Sequence, residues 1–149
     1  MKDKLNKLGL AGFVKTSGKK GLHVLIPIVP EYTFKETRDF VHAVGIQLMR
    51  ESSVVVSEFK DTKKPGKVFV DYTQNSHGRT MACPYSLRVS EEASVSMPLD
   101  WVDLKKSIKP SEFNIQSVPG TRKEPWKDIF GYRQKLEAKN LGKETAKNS

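Results

Sequence analysis

Lys15–Ile28 reads KTSGKKGLHVLIPI, and its two halves ask for different surroundings. LHVLIPI is apolar and of strand length, which predicts a buried core strand. Pro27 and Pro30 predict that this strand lies near an edge or ends early. The first half carries Ser17, Lys19 and Lys20, with His23 just beyond, around Gly18 and Gly21. The glycines let backbone amides turn toward an anion without an obstructing Cβ. Lys20 supplies a point charge, Ser17 a hydroxyl donor and His23 a ring N–H from the first turn of the strand. A solvated basic hairpin is the alternative that this spacing leaves open. The stretch is not a Walker A loop, because G-x-x-x-x-G-K-[ST] is absent and a strand follows in place of a helix.

Outward from this stretch the pattern is mixed. MKDKLNKLGL puts Leu5, Leu8 and Leu10 on one helical face, with Gly12 as the stop, and FVKT is a short strand. TFKETRDFVHAVGIQLMRES is the clearest helix. Thr33 is its N-cap and Glu36 is placed for a capping box, while Phe34, Phe40, Val41, Val44, Ile46 and Leu48 supply the inward face. His42 reads as a surface or satisfied helix residue. SVVVSEF and KVFVDY are strands around the basic loop KDTKKPGK, and TQNSHGRT is a polar turn. ACPYSLRV turns through Pro84 into another strand. EEASVSMPLDW is an extended connection, LDWVDLKKSI a short helix, PSEFNIQSV a short extended piece and EPWKDIFGYRQKLEAKN a C-terminal helix. The sum is α+β.

The 149 residues fit one domain, long enough to bury a core. Lys+Arg 26 against Asp+Glu 17 gives a net charge of +9. That excess favours a polyanionic partner over a merely Lys-rich surface only in combination with other signals. One cysteine, Cys83, excludes an internal disulfide, and no Cys/His cluster has zinc spacing. No apolar stretch is long enough to span a bilayer, and the N-terminus lacks a signal-peptide core, so a cytoplasmic protein with no membrane partner is expected.

Asp71 ends the apolar strand KVFVDY beside a basic loop. Such a carboxylate suits a metal ligand or general base; capping the next turn is the commoner role. Lys63, Lys64 and Lys67 precede it, and His77, Arg79 and Arg88 follow. Singly, each reads as a solvated charge.

In order, KTSGKKGLHVLIPI, a helix, SEFKDTKKPGKVFVDYTQN, GRTMACPYSLRV, VSMPLDWVDL and EPWKDIF resemble the polymerase domain of the bacterial DNA ligase D family, within the archaeo-eukaryotic primase superfamily. The resemblance runs from about Leu5 to Phe130. It implies a primase-polymerase-type mixed sheet flanked by helices over residues 1–139, truncated at the N-terminus; residues 140–149, by their polarity, are expected as a disordered tail. It also implies a nucleotidyltransferase that adds a nucleoside triphosphate to a DNA end or primer-template in end joining, using Mn2+ or Mg2+. Ser17, Lys20 and His23 match the family's Ser-Gly-Gly-Lys-Gly-Leu-His motif, which holds the triphosphate. Asp71 matches the third carboxylate of the metal site. Arg88 matches a basic residue approaching the nucleotide's phosphates, and Lys64 stands where the family usually carries an arginine of similar task. Gln74 and Asn75 belong to the same signature.

Three departures set further expectations. Lys19 replaces the motif's second glycine, which would weaken binding if that position needs positive φ. Lys64 in place of arginine loses bidentate recognition. The family's Asp-x-Asp pair lies upstream of the helix preceding KTSG, and no Asp-x-Asp occurs in these residues. The expectation is a half-domain, inactive until an N-terminal half-domain or ligase partner supplies that pair. The alternative is a non-catalytic nucleotide- or DNA-binding remnant.

Overall fold

The computed structural model describes residues 1–57, 65–104, 108–120 and 123–137. Its elements are α1 (Lys2–Lys7), β1 (Phe13–Thr16), β2 (Leu22–Leu25), α2 (Phe34–Glu51), β3 (Val55–Val56), β4 (Val68–Phe69) and β5 (Pro98–Leu99), with short 3-10 turns between and after them. One sheet has the order β2-β1-β5, antiparallel throughout; β3 and β4 form a separate parallel pair. The expected α+β architecture with strands of both senses is what is observed.

α2 forms where its signals placed it. Thr33 Oγ1 accepts from the Glu36 amide at 3.2 Å, and the Thr33 amide donates back to the Glu36 carboxylate at 2.8 Å. This reciprocal pair is the capping box. Phe40, Val44 and Leu48 then bury against Leu5, Leu8 and Leu10. Phe34 departs from expectation: it lies in the first turn, 57% exposed, with its ring edge-on to His77. α1 stops at Gly9, whose φ is +68°, rather than at Gly12. Gly12 instead lies where a Cβ would strike Leu5, and its carbonyl accepts from Trp101 Nε1 at 2.6 Å. Lys4, buried between the two helices, donates to Gln47 and pairs with Glu51.

The core strand is not the one expected. Within LHVLIPI, Leu22–Leu25 form β2, which lies at the edge and ends before Pro27 as expected, but it is half-exposed and not buried, with Leu22 45% exposed. Its predecessor β1 occupies the centre, with Val14, Lys15 and Thr16 buried. The reason lies on β1's other side. Residues 94–99, expected as a connection, are all buried, and their last two form β5. Thr16 Oγ1 donates to the Val95 carbonyl and accepts from the Met97 amide, both at 2.9 Å, locking this segment to β1. Val14, Met97 and Leu99 form a second core cluster covered by Ile108, Phe113 and Val118.

The expected C-terminal helix is absent over residues 123–137, where turns, one 3-10 turn (Ile129–Gly131) and extended chain stand instead. Tertiary hydrogen bonds override helical propensity here. Trp126 Nε1 donates to the Val14 carbonyl at 3.1 Å. Gln134 donates to the carbonyls of Ala11 and Pro27, accepts from the Ala11 amide, and bridges to Ile28. LDWVDLKKSI is reduced to a 3-10 turn at Trp101–Asp103 in its described part. PSEFNIQSV contributes the Asn114 bridge to Ser94.

Candidate functional site

The turn between β1 and β2 is built on Ser17. Its amide donates to the Gly21 carbonyl at 2.8 Å, and its Oγ accepts from the amides of Lys19 and Gly21, each at 3.1 Å. Two amides expected to face an anion are therefore engaged with Ser17. The Ser17 hydroxyl proton meets no acceptor among the described residues and remains available. Gly18 has φ +69°, and a Cβ there would run into the Arg88 side chain. Lys19 needs no positive φ, so the substitution of the motif's second glycine carries no backbone strain here. Lys19 and Lys20 are both exposed on the turn.

The hairpin register sets Lys15 opposite His23. Lys15 Nζ lies 2.9 Å from His23 Nδ1 and also donates to Ser96 Oγ. The Ser96 hydroxyl in turn donates to the Thr16 carbonyl at 2.9 Å. Arg88 arrives from the neighbouring segment, where the Arg88 amide donates to the Ser94 carbonyl and the Ser96 amide to the Ser86 carbonyl. Its Nε is buried with no hydrogen-bond partner among the described residues. Burial first, then Arg88, depresses the Lys15 ammonium from its usual 10.5 to about 8, with Cys83 acting weakly the other way. His23 is held below its ordinary value by burial, then by Lys15 and Arg88. No carboxylate pairs with Lys15, His23 or Arg88 among the described residues. Three cationic or cation-capable groups thus share one partly buried spot with no carboxylate among the described residues to neutralise them, which is the electrostatic form of an anion site.

Asp71 follows β4, two residues beyond its last residue Phe69. Its Oδ1 accepts from the Thr73 amide at 3.1 Å and from the Thr73 hydroxyl at 2.6 Å, and its Oδ2 accepts from Gln74 Nε2 at 3.1 Å. It caps the 3-10 turn Tyr72–Asn75. No hydrogen bond or ion pair joins it to the Lys15–His23–Arg88 cluster among the described residues. Nor is there, among those residues, a group of three His, Cys, Asp or Glu side chains able to hold a metal ion. One carboxylate committed to a turn does not fit a two-metal centre by itself. Lys63 and Lys64 lie outside the described residues.

Of the residues that the sequence singles out, the fold brings Ser17, His23 and Arg88 to one place, together with Lys15 and Ser96, which the sequence does not single out. The missed signal was the turn's symmetry. If Ser17 and Gly21 close a hairpin, positions 15 and 23 must face each other.

The model for the LigD primase-polymerase domain matches residues 1–130. This chain belongs to that family. The multifunctional non-homologous end joining protein LigD of Pseudomonas aeruginosa is 35% identical to the LigD-type chain over 143 residues, 90% of this chain and 17% of that protein. The bifunctional non-homologous end joining protein LigD of Bacillus subtilis is 32% identical over 120 residues, 79% of this chain and 20% of that protein. The solved polymerase domain from Mycobacterium tuberculosis ligase D in complex with DNA shares the fold, with a TM-score of 0.62 and 34% identity. That match covers 67% of the LigD-type chain and 35% of the solved one. The chain therefore spans a fifth or less of the two curated relatives and about a third of the solved domain. Among the described residues no helix is long and apolar enough to cross a membrane.

Proposed function

We propose that this chain is the nucleotide-binding part of a repair nucleotidyltransferase, holding the triphosphate of an incoming nucleotide for addition to a DNA end or primer. The carrying observation is the cluster of Lys15, His23 and Arg88, with no carboxylate paired to it among the described residues, packed beside the Ser17 turn. A polyphosphate supplies the missing negative charge, and each element has a task. Arg88 presents a guanidinium, suited to bidentate phosphate contact. Ser17 donates its free hydroxyl proton, and Lys20 adds a mobile point charge from the rim. Held together, these donors fix the phosphates before any bond changes and offset charge gathering on the departing pyrophosphate. Lys64 would add to this field. Asp71 would be the chain's one contribution to a Mn2+ or Mg2+ site completed by carboxylates from another segment, such as an N-terminal half-domain or a ligase partner. End joining is the process that the names of the relatives point to.

A triphosphate titration of the full chain tests the binding. Micromolar binding lowered at least tenfold by Arg88→Ala is expected, and unchanged binding in both Arg88→Ala and Lys20→Ala would remove the pocket. Primer extension with manganese and ribonucleotides tests the chemistry, with and without a family N-terminal half. No extension when both folded halves are combined would end the catalytic reading. The engagement of Asp71 with its own turn favours a second reading, nucleotide or DNA binding without turnover. It predicts salt-sensitive binding and no metal-dependent product in any combination.

A further inference from the structure

Two lysines are buried among the described residues, Lys4 and Lys15, and they are treated differently. Lys4 pairs with Glu51. Lys15, 0% exposed, has among the described residues only neutral partners, His23 Nδ1 and Ser96 Oγ. Burying a cation without a counter-charge is unfavourable, so the arrangement asks what the ammonium does there.

The directions of its hydrogen bonds supply the answer. An ammonium has donors only. Ser96 gives its own proton to the Thr16 carbonyl, so its oxygen is left to accept from Lys15. His23 Nδ1 must then accept as well, and an accepting Nδ1 carries no proton. Burial, Lys15 and Arg88 all disfavour a second proton on the ring, so the single one resides on Nε2. Besides each other, the titratable groups acting on this pair are Arg88 on both and Cys83 on Lys15.

We propose that Lys15 is a positioning residue: by donating to His23 Nδ1 while anchored on Ser96 Oγ, it holds the imidazole as the Nε2–H tautomer. The ring then meets a ligand as a donor. The use of that donor toward a phosphate oxygen rests on the triphosphate reading above. The other tautomer would turn a lone pair toward the phosphate and repel it.

Nitrogen-15 NMR of histidine-labelled full-length chain tests the tautomer directly. The chain has three histidines, so His42→Gln and His77→Gln variants assign the His23 signals. At neutral pH the native chain should show His23 with Nε2 protonated and Nδ1 bare. Lys15→Met should move His23 to a mixed or Nδ1–H state, and Lys15→Arg, which keeps a donor, should retain the native pattern. A native His23 with its proton on Nδ1 overturns the proposal whether or not Lys15→Met folds. So does an unchanged tautomer in folded Lys15→Met. Titration with inorganic tripolyphosphate is the second readout, with at least a tenfold loss expected in Lys15→Met and recovery in Lys15→Arg. A native chain that shows the Nε2–H tautomer but binds no tripolyphosphate supports the Lys15–His23 coupling and overturns the triphosphate reading.

Discussion

At the scale of single residues, burial turns ordinary side chains into constrained ones. The ammonium of Lys15 titrates near 8 in the folded chain against 10.5 when exposed. Folding therefore carries an unfavourable contribution below pH 8, where both states are protonated. Between 8 and 10.5 the unfolded chain binds more protons, so the contribution is relieved as pH rises. The stability of the native chain relative to Lys15→Met should climb across that window, by about 1–3 kcal/mol. Denaturant melts of both chains at pH 7 and pH 10 measure it, and a flat difference would contradict the depressed pKa. Gly18 gives a second residue-scale expectation. A Cβ there must share space with the Arg88 side chain at a φ of +69°. Gly18→Ala should lose about 1–3 kcal/mol of stability and displace Arg88. Gly21→Ala should be close to neutral, because a Cβ at that position would meet no heavy atom within 4 Å. Chemical denaturation of the pair separates crowding from mere loss of a glycine.

At the scale of elements, α2 shows what makes a segment legible. Thr33 and Glu36 announce its start, and Phe40, Val44 and Leu48 recur at the helical period. Both are local signals, and local signals survive folding. Thr33→Ala should cost about 1 kcal/mol by removing the cap. Gly45 in the same helix carries a different kind of information. A Cβ there would stand 2.6 Å from Ser57 Oγ and 3.4 Å from Val70, so the helix approaches the β3–β4 side closely at this point. Gly45→Ala should lose about 1–3 kcal/mol by overpacking, despite a helix-propensity gain of about 1 kcal/mol; a thermal melt showing stabilisation would refute the close contact. Where the meaning of a residue was non-local, the sequence was opaque. The burial of residues 94–99 depends on Thr16, 79 positions before Val95, holding the Val95 carbonyl and the Met97 amide. The segment 123–137 has helical composition, yet Trp126 and Gln134 find partners on β1 and on the chain before and after the hairpin. The candidate site divides in the same way. Ser17, His23 and Arg88 were visible as a motif, whereas Lys15 became visible only when the register placed it against His23.

At the scale of the whole molecule, the question is how the Lys15–His23–Arg88 cluster and a carboxylate with no hydrogen bond or ion pair to it among the described residues would serve one proposed activity. The net charge of +9 supports attraction to nucleic acid but assigns no residue. Asp71 is where the two readings of the molecule separate, because its turn-capping role and its proposed metal role ask for different properties. A cap needs oxygens that accept from Thr73 and Gln74. A metal ligand needs negative charge as well. Asn can satisfy the first demand with one oxygen and fails the second, whereas Ala fails both. Asp71→Asn should therefore leave the stability within about 1 kcal/mol of native, and Asp71→Ala should lower it further. Tripolyphosphate binding at the Lys15–His23–Arg88 cluster should be unchanged in both, since among the described residues Asp71 makes no hydrogen bond or ion pair with Lys15, His23 or Arg88. If the chain belongs to a metal-dependent nucleotidyltransferase, extension by the combined halves should vanish in Asp71→Asn although the fold and the phosphate site persist. Full extension by folded Asp71→Asn would reduce Asp71 to a structural cap, and the metal centre would have to be built without this chain.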